Sequence, residues 1–77
     1  MDVREAVRKV KDYFQEVKGI EPLAFDVESV RFNPEKKEWN VVCSFYRNPV
    51  DAKRVSFTLI VDDATGEIKE HIKNGHS

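Results

Sequence analysis

The sequence predicts an α+β domain, with one N-terminal helix packed on one face of a four-stranded antiparallel meander sheet. Three observations predict it. Apolar residues recur at three- and four-residue steps over the first 18 positions. Beyond residue 23 they recur at every second position. Short polar connections bearing Pro, Gly, Asn and Asp separate the alternating runs, which favours antiparallel neighbours over crossovers.

The helix is expected over about residues 2–18. Val3, Val7, Val10, Phe14 and Val17 form its apolar stripe, widened by Ala6 and Tyr13. Asp2 is placed to act as N-cap, with Glu5 at capping-box spacing. Gly19 stands where a left-handed C-cap is needed, and Pro22 forbids continuation.

Strands are expected over about 24–32, 39–47, 54–62 and 67–73. In the first, Phe25 and Val27 share one parity while Val30 and Phe32 share the other, which calls for a bulge or a two-sided strand. The second holds Trp39, Val41, Cys43 and Phe45 in phase, and the third holds Val55, Phe57, Leu59 and Val61. A short fourth strand carries Ile68 and Ile72. Asn33–Glu38 reads as a polar turn, the stretch 47–52 as a longer connection, and Asp62-Asp-Ala-Thr-Gly66 as a tight hairpin turn. The tail 74–77 is expected to fray.

Seventy-seven residues permit a single domain. Such a chain buries only roughly 60–65% of the surface it exposes when unfolded, so its core is thin. With Cys43 as the only cysteine, no disulfide can form within the monomer, and no metal knuckle is expected with only His71 and His76 to add. Packing and self-association remain as sources of stability. Thirteen basic and fourteen acidic side chains, interspersed, leave a formal charge of −1, which is not the footprint of a polyanion binder. The 35% charged content is similar to heat-adapted surfaces. The absence of a long apolar run or a signal-peptide pattern leaves a cytoplasmic location as the expectation, and a lone cysteine suits a reducing compartment.

No group of residues carries an evident reaction. Cys43 with His71 as base would be a nucleophilic pair, but the parity of Cys43 points it into the core. Asp62, Asp63 and Glu67 lack calcium-loop spacing and suit a turn. Trp39 could anchor a partner or seal the end of the core. Catalytic, cofactor and metal sites are therefore all expected to be absent, and the chain is expected not to be an enzyme. One helix covers one sheet face only. By simple alternation Val30, Phe32, Val42, Tyr46 and Ile60 fall on the other face, as an apolar patch suited to contact with another chain.

The run from Trp39 to Ile68 resembles two families. An alternating strand followed by Asp62-Asp-Ala-Thr-Gly-Glu-Ile68 is similar to the closing hairpin of PepSY-type domains. That resemblance implies binding or inhibition of partner proteins, often at the cell envelope. The same run is also similar to the gas-vesicle protein O family, with Trp39 opening a strand, the Arg47-Asn-Pro49 turn, Phe57, and the acidic turn from Asp62 to Glu67. It departs from that family where Val41, Cys43 and Phe45 replace an acidic run.

The leading expectation is a small non-enzymatic protein–protein interaction or assembly module, a homodimer or an adaptor for another protein. The alternative is a small-ligand or peptide-binding, PepSY-like domain, with a cavity lined by Tyr13, Phe45 and Phe57. A third is a weak nucleic-acid binder using Arg31, Arg47, Lys53 and Arg54, which the acidic neighbours Glu28, Glu35, Glu38 and Asp51 oppose.

Overall fold

Asp2 starts the chain's only described helix: its Oδ1 accepts the Glu5 N–H at 2.9 Å, and its carbonyl accepts from Ala6 at 3.0 Å. The computed structural model describes residues 1–19, 23–46, 50 and 53–74. The expected stop at Pro22, most of the connection over 47–52, candidate residue Arg47, and His76 in the tail lie outside them. Helix α1 spans Val3–Glu16 and ends with Val17 N–H on the Tyr13 carbonyl at 2.9 Å. Gly19 follows at φ +66°, the left-handed conformation a glycine adopts at low cost.

Strands β1 (Leu23–Asn33), β2 (Glu38–Tyr46), β3 (Val55–Asp62) and β4 (Ile68–Asn74) form one antiparallel sheet in sequence order. The helix lies against all four strands on one face. Ala6, Val10 and Phe14, one turn apart along the helix, are fully buried against Val41, Cys43, Phe45, Leu59 and Val61. Val3 and Val17 share that side of the helix but sit at its two ends, where both are exposed.

Two bulges set which side chains reach the core. In β1, Val27 pairs with Cys43 and Ser29 with Val42, so Glu28 is an extra residue. That one residue inverts the parity of everything after it. Val30 therefore pairs with Val41, and Phe32 with Trp39, on the helix side. Val30 packs on the core, and the Phe32 and Trp39 rings lie 5.0 Å apart. The placement of Val30 and Phe32 on the far face is corrected accordingly. In β4, Ile60 pairs with Glu70 but Val61 with Ile68, so Lys69 is the extra residue. Ile68 thus packs on the core, whereas Ile72, of the same parity, points away at 47% exposure. A further irregularity lies between Leu23 and Asp26, where Ala24 takes φ +52°.

The turns are held by their own side chains. Asn33 Oδ1 accepts from Glu35 N–H at 3.1 Å and Lys36 N–H at 3.3 Å, and Asp62 Oδ1 accepts from Ala64 N–H at 2.8 Å. Gly66 has φ +77° and its N–H reaches the Asp62 carbonyl at 2.8 Å, closing the β3–β4 hairpin. Asp63 ties the two hairpin ends to the helix start. Its N–H bonds the Lys37 carbonyl at 3.0 Å, its Oδ1 accepts the Trp39 indole N–H at 2.7 Å, and the Met1 ammonium lies 3.7 Å away. Trp39 thus seals one end of the core.

Candidate interaction surface

Because the helix occupies one face, the side chains of the opposite face define the surface still open to another molecule. Register orders them in cross-strand rows. Arg31, Asn40, Ile60 and Glu70 make one row, and Ser29, Val42, Thr58 and Ile72 the next. Asp26, Ser44, Ser56 and Asn74 follow, and Asn33, Glu38 and Asp62 lie at the turn end. Val42, Ile60 and Ile72 are contiguous across these rows, with the Thr58 methyl among them. Asn74 Nδ2 donates to Thr58 Oγ1 at 2.7 Å, which satisfies the threonine hydroxyl.

The rim is polar and locally paired. Ser56 donates to Glu28 Oε2 at 3.3 Å. Lys69 pairs with Glu38, a hydrogen bond that holds the lysine pKa above its ordinary value. Near that pair, Lys36, Asn40, Ile60 and Glu70 line a shallow depression of about 310 Å³. At the other end Arg54 donates to Ala24 O at 2.8 Å, Ser44 O at 3.0 Å and Ser44 Oγ at 3.1 Å. Its guanidinium also stands 4.9 Å from the centre of the Tyr46 ring. Of the five residues expected on the far face, Val42, Tyr46 and Ile60 are there, Tyr46 beneath Arg54. Val30 and Phe32 are not. Ile72 joins them, and alternation could not find it because the β4 bulge is silent in the sequence.

The other candidate groups are engaged elsewhere. Cys43 is fully buried, and burial, with a smaller contribution from Glu28, pushes its thiol up to about 12. Near neutral pH such a thiol supplies almost no thiolate. His71 stands on the helix side within an aromatic cluster, 4.7 Å from Phe57, 5.3 Å from Phe14 and 5.5 Å from Tyr13 between ring centres. Its Nδ1 lies 3.3 Å from the Tyr13 hydroxyl, and its Nε2 is buried with no partner among the described residues. Burial, then the Lys18 charge, holds its pKa below the ordinary value. The space among Tyr13, Phe45 and Phe57 is occupied by Phe14, whose ring is 4.9 Å from Phe45 and 5.4 Å from Phe57. Of the turn acids, Asp62 Oδ1 accepts from the Ala64 and Thr65 N–H groups and Asp63 Oδ1 from the Trp39 indole. Of the basic candidates, Arg31 lies on the far face and Arg54 is spent on Ser44 and Ala24, while Lys53 is exposed.

Compared with protein-family models, curated proteins and solved structures, the chain matches none. No described helix is long and apolar enough to cross a membrane.

Proposed function

We propose that the chain is a small, non-enzymatic protein–protein interaction module that self-associates through the outer face of its sheet. The observation that carries this reading is the uncovered cluster of Val42, Ile60 and Ile72, rimmed by polar and charged side chains. A thin single-layer sheet gains from covering such a cluster, and a second copy supplies a cover without any further gene product. The edges favour the face over edge-to-edge pairing. Edge strand β1 is kinked by its bulge at Glu28, and edge strand β4 carries Lys69, Glu70 and Lys73. The resemblance to PepSY-type domains, which implies partner binding, points the same way. A cytoplasmic site of action fits a single, unpaired cysteine.

Sedimentation equilibrium of the native chain tests this. A concentration-dependent dimer is expected, and Ile72→Asp, at a position already 47% exposed, should shift it to monomer while circular dichroism stays native. A strict monomer at millimolar concentration would refute the proposal.

A further inference from the structure

Resting on the self-association just proposed, we infer the geometry of the assembly: two copies pack outer face to outer face about a twofold axis parallel to the strands, so that Arg31 of each meets Glu70 of the other. The charge arrangement carries this inference. Arg31 and Glu70 stand at opposite ends of one cross-strand row, Arg31 on edge strand β1 and Glu70 on edge strand β4. Arg31 is exposed and makes no ion pair or hydrogen bond among the described residues. Glu70 is also exposed, and its neighbour Lys69 already pairs with Glu38.

A twofold axis along the strands turns the sheet over and leaves each row at its own height. β1 of one copy then lies over β4 of the second, and β2 over β3. Arg31 is brought onto Glu70 of the second copy, and the symmetry repeats the pair at the opposite edge. Aligned sheets cross at about 30° and stack about 10 Å apart, which displaces the pair along the strands by about 4 Å, within reach of an arginine side chain. In the adjoining row Val42 comes over Thr58 of the second copy and Ile72 over Ser29, and in the Arg31 row Ile60 comes over Asn40. Each apolar side chain is thus covered by a short polar one, and Val42 meets Ile60 of the second copy only on the diagonal between rows. At the turn end Glu38 approaches Asp62 of the second copy. Glu38 is already neutralised by Lys69, and Asp62 Oδ1 is engaged by the Ala64 N–H.

The area is sufficient. Four strands about 4.8 Å apart and about 30 Å long offer roughly 600 Å² per copy, or roughly 1,200 Å² in all, at the lower end of specific interfaces. An axis perpendicular to the strands would stack β1 on β1 and leave Glu70 opposite no cation of the same row.

Charge reversal tests the geometry. Arg31→Glu places two acids at each contact, and Glu70→Arg places two bases there, so each variant alone should dimerise at least about tenfold more weakly than the native chain. Mixing the two restores an opposite-charge pair at both contacts, and an equimolar mixture should form a heterodimer of near-native affinity. The double variant R31E/E70R should dimerise like the native chain. A native chain that stays monomeric refutes the self-association itself. A native dimer whose affinity survives both single reversals, or whose weakened variants do not complement on mixing, overturns the geometry while leaving self-association intact. Both positions are exposed, and circular dichroism of each variant checks that the fold persists.

Discussion

Replacing Phe14 by leucine isolates the contact that fastens the helix to the sheet. Phe14 is fully buried and meets Phe45 edge-on at 4.9 Å and 68°, and Phe57 at 5.4 Å and 50°. Leucine keeps an apolar side chain and favours the helix at least as well, so the change acts on packing and not on propensity. Each lost aromatic contact is worth about 0.5–1.5 kcal/mol beyond area burial, so the two with Phe45 and Phe57, leaving aside those with Tyr13 and His71, amount to about 2 kcal/mol. A chain of this length has a total stability of about 4–12 kcal/mol, so the loss is a large share of the whole. It corresponds to a fall in Tm of about 8–16 °C. Urea titration followed by the fluorescence of Trp39, the single tryptophan, measures it alongside thermal circular dichroism. Protein concentration must be held fixed, because dimerisation raises apparent stability. Val17→Ala, at the residue that caps the helix end and is 68% exposed, should change stability by less than about 0.5 kcal/mol. Phe14→Leu within that same margin, or Val17→Ala exceeding it, would refute the claim that this ring holds the two layers together.

Two further predictions concern single polar contacts. His71 is held neutral, with a lowered pKa, so below its ordinary value of about 6.5 the unfolded chain binds more protons than the native one. Stability should therefore fall as pH drops from about 6.5 toward the native pKa, and His71→Phe should flatten that part of the profile; equal slopes in both proteins would exclude His71 as the source. Asp63→Ala removes the acceptor of the Trp39 indole N–H, and should cost about 1–2 kcal/mol and redden the tryptophan emission. Unchanged emission would show that the indole is positioned by packing alone.

The order of elements is legible in the sequence because each carries its own periodicity and its own punctuation. Asp2, Gly19 and Gly66 perform local tasks, capping and positive φ, that depend on neighbours a few residues away. The phase of β2 and β3 is legible too, since Trp39, Val41, Cys43 and Phe45 keep one parity, as do Val55, Phe57, Leu59 and Val61, and the two strands pair without a register shift. The candidate surface is less so. Val42, Tyr46 and Ile60 follow from that phase, but Val30 and Phe32 lie on the helix side, and Ile72 stands where only Ile68 of the pair was needed inside.

An amphipathic helix followed by four strands in meander order was written in the chain itself, because hydrophobic spacing and turn chemistry act over a few residues and need no distant partner. The parity change between Val27 and Val30 marks a bulge in β1 as one of two readings, but the choice between them at Glu28, and the step out of register at Lys69, were decided only by the tertiary structure. An extra residue in an edge strand leaves no mark in composition. It is selected when packing rewards turning Val30, Phe32 and Ile68 toward the helix more than an unbroken ladder would, and that choice in turn determines which side chains the outer face presents.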